Sequence, residues 1–270
     1  MNPFLASVVQ LSSTSDTAEN WRQAKRLVER AASFGAQFVA TPENTNFLGR
    51  HEEKVETAET LDGVTCRRFA ELAKNLGIHL LLGSFNERSD ESDRCFNTSV
   101  LFDPSGERLA VYRKIHLFDV DVSSQVRFKE SATVKPGREV VVAKTSLGSL
   151  GLTICYDLRF PMLYQKLRLQ GADIITIPSA FTATTGRAHW FPLVRARAIE
   201  TQCYVVAPAQ HGKHDDEGLR ESFGHAMIVD PWGQVVAMAA DGVAVALAEI
   251  DPTRTESIRR SMPVIDHKVF

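Results

Sequence analysis

Apolar residues follow two patterns along the chain, and these patterns predict its secondary structure. Short apolar runs, alternating or continuous, predict strands, whereas a repeat of three to four residues predicts amphipathic helices. The predicted strands are 4–10, 36–40, 78–85, 97–102, 109–112, 140–143, 150–154, 173–178, 204–209, 224–229, 235–239 and 243–250. The predicted helices are 17–34, 64–76, 162–170, 188–201 and 252–260.

Turn and cap residues mark where these elements end. Asp16 or Thr14 can cap the first helix, and Gly35 and Gly77 end the first two helices. The last three strands, joined by tight turns, look like an antiparallel meander. Alternating strands and helices with several antiparallel pairs predict an α/β architecture with mixed sheets. Because no linker-like segment interrupts the pattern, residues 1–270 are predicted to form a single domain.

Two long polar stretches are predicted as loops. Residues 119–138 separate two predicted strands, and residues 211–221 form a charged segment later in the chain. Loops as long as the first are usually either functional or disordered in compact domains.

The composition narrows the range of partners. The chain has 44% hydrophobic residues, 24% charged residues and a formal net charge of −2, which is ordinary for a globular protein. Such a charge favours neither nucleic acid nor an anionic membrane, and no apolar run approaches the roughly 20 residues that span a bilayer. A secretory signal is not recognisable, and the four cysteines have no C-x-x-C spacing. Reduced thiols in a cytoplasmic setting are therefore expected.

Three predicted strands are each followed by a residue whose side chain can take part in catalysis, namely Glu43, Lys114 and Cys155. Ligand sites of α/β proteins gather at the carboxyl ends of strands. Taken singly, these residues have ordinary interpretations: a turn residue, a surface charge and a small buried apolar group. Together they supply a base, a positive charge for an oxyanion and a thiol nucleophile, as acyl transfer from an amide requires. Glutamate is a weak base for a thiol in water, so this interpretation requires a buried site.

Motifs for other chemistries are absent or incomplete. The chain contains no G-x-S-x-G, no G-x-x-x-x-G-K-[ST] and no G-x-G-x-x-G. His51 and Glu52 begin like a zinc-protease helix, but the second histidine is missing. His211 and His214 lie close together in sequence without a paired metal spacing. We therefore expect neither a metal nor a cofactor.

Three motifs carry a resemblance to a known family. They are Thr41–Pro42–Glu43, the stretch 112–119 around Lys114, and the stretch 151–161 around Cys155. Over essentially its whole length the sequence resembles the nitrilase superfamily of carbon–nitrogen hydrolases. The resemblance implies an αββα sandwich with two mixed β-sheets, which usually forms a homodimer.

The resemblance also implies a role for each catalytic candidate. Glu43 would act as general base and acid, Lys114 would stabilise the tetrahedral intermediate, and Cys155 would be the nucleophile. The family's second glutamate matches Glu130, which would orient Lys114 or assist proton transfer.

Within the superfamily the chain is most similar to the Nit branch, whose members hydrolyse deaminated glutathione or ω-amides of keto acids. The similar stretches are 178–181, 185–190, 195–206, 210–214 and 222–225. The last two favour deaminated glutathione over the ω-amides α-ketoglutaramate and α-ketosuccinamate. Two departures affect the pocket mouth: Met162 replaces a usual glutamate, and 122–126 lacks the usual glycine-rich approach to the second glutamate.

Substrate contacts follow from the same resemblance, which places Arg159, Phe181 and Thr185 beside the thiol, with Tyr156 completing the set. The Arg159 guanidinium suits a substrate carboxylate, and Phe181 would be an apolar wall. Alternatively, Arg159 braces the turn through Asp157.

Two kinds of function remain open. The first is an amidase that acts on a small carboxylate-bearing amide, and the second is a catalytically idle scaffold that binds a partner. Much faster alkylation of Cys155 than of the other three cysteines would favour the amidase.

Overall fold

Strands and helices alternate along the chain in the computed structural model, which describes residues 2–50, 53–123, 126–214 and 220–269. Strands β1 to β16 are Phe4–Leu11, Phe38–Ala40, His79–Arg88, Cys95–Phe102, Arg108–Arg113, Asp119–Ser123, Val126–Lys129, Val141–Thr145, Gly148–Leu152, Ile174–Thr176, Tyr204–Ala207, Ala209–Lys213, Glu221–Phe223, Met227–Val229, Val235–Met238 and Ala244–Ile250. Helices α1 to α6 are Thr17–Ser33, Glu53–Glu56, Val64–Leu76, Pro161–Leu169, Ala183–Thr201 and Pro252–Ser261. Two 3₁₀ turns cover Glu130–Ala132 and Cys155–Arg159.

Two large mixed β-sheets form the centre of the fold. The first has the order β13-β12-β1-β2-β3-β4-β5, and β16 pairs with β1 beside this path. Its β1, β2 and β3 are parallel, whereas β3, β4 and β5 are antiparallel. The second has the order β15-β14-β11-β10-β9-β8, with β9, β10 and β11 parallel. The predicted mixed sheets are therefore confirmed.

The sheets face each other, and helices cover their outer faces. On β1, Val9 and Leu11 pack with Leu27 of α1, and α3 joins the same apolar cluster. The alternate residue Val8 belongs to a second cluster, which contains Leu152 of the other sheet together with residues of α4 and α5. Continuous apolar runs in the central strands are thus explained, because both faces of each sheet are buried. This layering is the αββα sandwich that the resemblance implied.

Helix ends agree with the sequence. The side chain of Asp16 accepts hydrogen bonds from the backbone N–H groups of Ala18 and Glu19, so Asp16 is the cap of α1. Gly77 ends α3 with a φ of 64°, a left-handed conformation that glycine adopts without steric cost.

The predicted meander at the end of the chain is wrong. Strands β14 and β15 do pair, but β16 crosses to the first sheet and runs antiparallel to β1 from Phe4 to Gln10. Local turn signals could not identify this partner, which lies more than 230 residues away in sequence.

Other stretches of the chain also differ from expectation. The polar stretch 119–138 contains the β6–β7 hairpin and the 3₁₀ turn at Glu130. Strand β12 extends through Lys213 into the second predicted loop, of which 215–219 lie outside the described residues. Helix α5 begins at Ala183 and runs through Pro192, five residues earlier than the apolar repeat indicated. Of the helices described, none is long and apolar enough to cross a membrane.

Candidate active site

The ends of three strands bring the predicted catalytic residues together. Glu43 lies three residues after β2, Lys114 directly follows β5, and Cys155 lies three residues after β9. Glu130, which follows β7, joins them. Their exposed fractions are 3% for Glu43, 2% for Lys114, 8% for Cys155 and 5% for Glu130. The sequence reasoning required such a buried site.

The ammonium of Lys114 bridges two carboxylates. Its Nζ lies 2.9 Å from Oε1 of Glu43, and 3.0 and 2.9 Å from Oε1 and Oε2 of Glu130. Lys114 therefore lies between the two glutamates. These contacts fix the position of its ammonium, and all three side chains are almost fully buried.

Further donors fix the two carboxylates. The Nδ2 group of Asn97 donates to Oε1 of Glu43 at 2.9 Å and to Oε1 of Glu130 at 3.4 Å. The backbone N–H of Ala180 donates to Oε2 of Glu43 at 2.8 Å, and that of Phe118 to Oε2 of Glu130 at 2.6 Å. Because backbone donors hold one oxygen of each carboxylate, neither glutamate can rotate freely.

Electrostatics keep this network charged. Burial alone would lower the pKa of Lys114, but the carboxylates of Glu130 and Glu43 raise it well above its usual value. Burial likewise opposes ionisation of Glu130, yet Lys114, Lys54 and the Phe118 N–H bring its pKa down to about 2. At neutral pH, Lys114 is therefore a cation and Glu130 a carboxylate.

The thiol of Cys155 is held in a strained turn. Cys155 has a φ of 45°, and its N–H donates to the carbonyl of Pro178 at 3.0 Å. A left-handed backbone costs a non-glycine residue about 1–2 kcal/mol, so the surrounding fold must maintain it. Burial raises the pKa of Cys155 well above its usual value, the Glu43 carboxylate raises it further, and Lys114 opposes both. The resting group is therefore a thiol, and a base must remove its proton.

Arg159, Phe181 and Tyr156 lie together. The Arg159 guanidinium carbon lies 5.1 Å from the ring centre of Phe181 and 5.9 Å from that of Tyr156. One guanidinium nitrogen is 3.3 Å from Nδ1 of His189. The alternative that Arg159 braces the turn through Asp157 is wrong, because other donors occupy both oxygens of that carboxylate.

Thr185 lies in the first turn of α5, although the sequence predicted that this helix begins only after Thr185. It is 8% exposed, and its Oγ1 is 2.7 Å from Oγ1 of Thr182. Met162 is 67% exposed on α4. The second departure from the family pattern, the stretch 122–126, includes Ser124 and Gln125, which lie outside the described residues.

Two residues of this site were missed by sequence reasoning. Asn97 is the first of three polar residues inside β4, and that interruption of an apolar strand was a usable signal. Lys54 belongs to the unpredicted α2 and is only 4% exposed. Burial lowers the pKa of Lys54, whereas Glu130 opposes that change. Nothing in the local sequence indicates that this lysine is buried.

Within the described parts of the chain, no group of three or more histidine, cysteine, aspartate or glutamate residues could hold a metal ion. His214 points its Nδ1 at the carbonyl of Ser13, whereas Nε2 of His211 lies 3.6 Å from Asp241. His51 and Glu52 lie outside the described residues.

Comparison with known proteins identifies the family. A family model described as carbon–nitrogen hydrolase matches residues 5–260. The chain belongs to the carbon–nitrogen hydrolase family. The predicted membership and amide-hydrolysing activity are thereby confirmed.

Curated relatives extend this match over the whole of this chain. A Synechocystis protein named deaminated glutathione amidase is 44% identical over 273 residues, which is 100% of both proteins. A Homo sapiens protein of the same name is 42% identical over 269 residues, covering 98% of this chain and 82% of the relative.

Solved structures support the same fold. The Caenorhabditis elegans NitFhit protein superposes with a TM-score of 0.93 at 40% identity, covering 99% of this hydrolase. This chain spans only 65% of NitFhit. Saccharomyces cerevisiae Nit3, described as a member of branch 10 of the nitrilase superfamily, superposes with a TM-score of 0.88 at 31% identity. The coverage in that pair is 100% of this chain and 97% of Nit3. These matches confirm the nitrilase sandwich.

Proposed function

We propose that this hydrolase is a thiol amidase that cleaves deaminated glutathione through an acyl-enzyme on Cys155. The observation that carries the proposal is the buried ammonium of Lys114, hydrogen-bonded to Glu43 and Glu130 in a site that also holds Cys155. The full-length relatives that carry the name deaminated glutathione amidase support the choice of substrate.

The first half-reaction forms the acyl-enzyme. Glu43 removes the proton of the Cys155 thiol while the sulfur attacks the amide carbonyl carbon. The carbonyl oxygen becomes an oxyanion, which the Lys114 ammonium stabilises. The intermediate collapses as the carbon–nitrogen bond breaks, and Glu43 returns its proton to the leaving nitrogen. A thioester on Cys155 and a free amine result.

The second half-reaction releases the acid. Glu43, again a carboxylate, takes a proton from a water molecule that attacks the thioester carbonyl. Lys114 stabilises the second oxyanion, and the carbon–sulfur bond then breaks. The proton held by Glu43 returns to the sulfur, which restores the thiol.

Glu130 orients Lys114 in this scheme. With a pKa of about 2, it has no proton to give at neutral pH, so a role in proton transfer is disfavoured. Its two oxygens both bind the ammonium, which leaves Lys114 little freedom to turn away from the oxyanion.

Arg159, Tyr156, Phe181 and Thr185 form the substrate pocket in this proposal. The guanidinium of Arg159 is exposed enough to pair with a substrate carboxylate, and the rings of Tyr156 and Phe181 beside it form an apolar wall. Thr185 offers a hydroxyl for a polar group of the substrate. An anchored carboxylate would place the amide carbonyl against the thiol.

A panel of amides tests the substrate. We expect kcat/KM to be highest for deaminated glutathione, lower for α-ketoglutaramate and α-ketosuccinamate, and poor for simple aliphatic amides and nitriles. Release of cysteinylglycine or ammonia measures each reaction. If α-ketoglutaramate ranked first, the chain would be an ω-amidase. Turnover of no amide at all would favour the idle scaffold.

Arg159→Lys should raise KM for the acidic amide by about tenfold, because lysine cannot reproduce the two parallel hydrogen bonds of a guanidinium. A methyl ester that blocks the carboxylate bound by Arg159 lacks the charge at that position, so its KM should change by less than about twofold. Steady-state kinetics on both compounds measure the difference. An equal effect on both would show that Arg159 does not bind the carboxylate.

Arg195→Lys provides the matched control for this experiment. Arg195 lies on α5 and donates to the carbonyl of Gly233, so its replacement should alter neither KM.

Three broader expectations stay predictions: one domain over residues 1–270, a homodimer and a cytoplasmic location.

A further inference from the structure

The carboxylate of Asp157 accepts four hydrogen bonds in the interior. Its Oδ2 accepts from the Tyr112 hydroxyl at 2.6 Å and from the Ile154 N–H at 2.9 Å. Its Oδ1 lies 3.0 Å from the backbone nitrogen of His116 and 2.7 Å from Nδ1 of the same residue. Asp157 is 0% exposed, so these groups replace water completely.

The four partners suit a carboxylate, whose two oxygens both accept, and no other group of the same shape. Two are backbone N–H groups, which can only donate. Burial, and then Asp157, raise the pKa of Tyr112 well above its usual value, so its hydroxyl keeps its proton and donates. Nδ1 of His116 faces an acceptor and therefore carries a hydrogen. An asparagine at position 157 would turn an NH₂ group towards two donors.

These bonds connect the two segments that carry the reacting groups. Tyr112 and His116 each lie two residues from Lys114, on either side of it. Ile154 directly precedes Cys155. One carboxylate thus links the segment of the proposed oxyanion stabiliser to the segment of the proposed nucleophile.

The link lies where the backbone needs support. Cys155 has a φ of 45°, and the following residues form a 3₁₀ turn in which Asp157 N–H donates to the Ile154 carbonyl. The Asp157 carboxylate in turn accepts a hydrogen bond from the Ile154 N–H, so both backbone polar groups of the residue before the strained cysteine are held.

We propose that Asp157 is a positioning residue for amide hydrolysis, because its four hydrogen bonds fix the thiol of Cys155 relative to the ammonium of Lys114. The inference rests on the proposed roles of these two residues. Loosening the carboxylate should misplace the sulfur for attack on a carbonyl whose oxygen is held by Lys114. Such an effect lowers kcat while leaving substrate affinity almost unchanged.

Two tyrosine variants provide the main test. Tyr112→Phe removes one donor from Oδ2 of Asp157 and conserves shape. Tyr164→Phe is the matched control, since Tyr164 is equally buried and its hydroxyl contacts Thr153 at 3.1 Å instead. We expect Tyr112→Phe to lower kcat by about tenfold with KM within about twofold, and Tyr164→Phe to change kcat by less than about twofold.

Two aspartate variants provide the second test. Asp157→Asn should lower kcat by about 10²-fold. Asp230 is the matched control because it is also buried and accepts two backbone N–H bonds and a bond from Arg254. Asp230→Asn should lower the midpoint of thermal unfolding but leave the kcat of the folded enzyme unchanged. If Asp157→Asn does not fold, the tyrosine pair still decides.

Wild-type kcat in folded Tyr112→Phe would overturn the proposal, and so would equal losses in Tyr112→Phe and Tyr164→Phe. Failure of the proposed function looks different. In that case Cys155→Ala would retain turnover, whereas failure of the positioning role alone leaves Cys155→Ala inactive and Tyr112→Phe fully active.

Discussion

Cys155→Ala should abolish amide hydrolysis and leave the protein folded. Without the sulfur no acyl-enzyme can form, and loss of a nucleophile of this kind lowers kcat by at least about 10⁴-fold. Cys155→Ser should be nearly as damaging, because a carboxylate removes a proton from a hydroxyl far less readily than from a thiol. Steady-state kinetics on deaminated glutathione, with circular dichroism to verify folding, measure both variants.

Cys66→Ala and Cys203→Ala are the controls for that prediction. Both thiols are buried within apolar clusters of the core, and burial raises the pKa of Cys66 to about 12. Their replacement should cost some packing energy and leave kcat unchanged. Substantial turnover by Cys155→Ala would end the proposal of a covalent mechanism.

The raised pKa of the Cys155 thiol also determines how fast this residue is alkylated. Because the pKa of Cys155 is raised, the resting enzyme does not hold a free thiolate that reacts at once with iodoacetamide. Faster alkylation of Cys155 than of Cys66 therefore depends on Glu43 as a base, so Glu43→Gln should remove the difference.

Local sequence predicted the positions of the catalytic candidates because each one follows a strand. Pro42 stops β2 just before Glu43, and the apolar run before Cys155 ends in a polar turn. Once such runs are assigned to strands, the rule that ligand sites gather at strand ends brings their following residues together. Glu130 came only from the family resemblance, since its place after a hairpin was not recognised.

Partners that are distant in sequence could not be predicted in the same way. Asn97 contacts Glu43 across 54 positions, and Tyr112 contacts Asp157 across 45. The first contact depends on the order of strands within the first sheet and the second on how the two sheets stack, and the apolar periodicity of a single strand contains neither. For the same reason Lys54 gave no sign of burial, and β16 was assigned to the wrong sheet.

Lys114→Met and Glu43→Gln should each lower kcat by at least about 10²-fold, the usual effect of losing an oxyanion donor or an acid–base group. Lys114→Met also leaves two buried carboxylates without their cation, which should cost about 3–5 kcal/mol of stability. Activity must therefore be measured well below the temperature at which half of the variant is unfolded. Arg113→Met is the matched control, because it breaks the neighbouring ion pair with Glu87 outside the site. If Arg113→Met lowered kcat as much as Lys114→Met did, the loss would reflect general damage to β5 rather than a missing charge at the oxyanion.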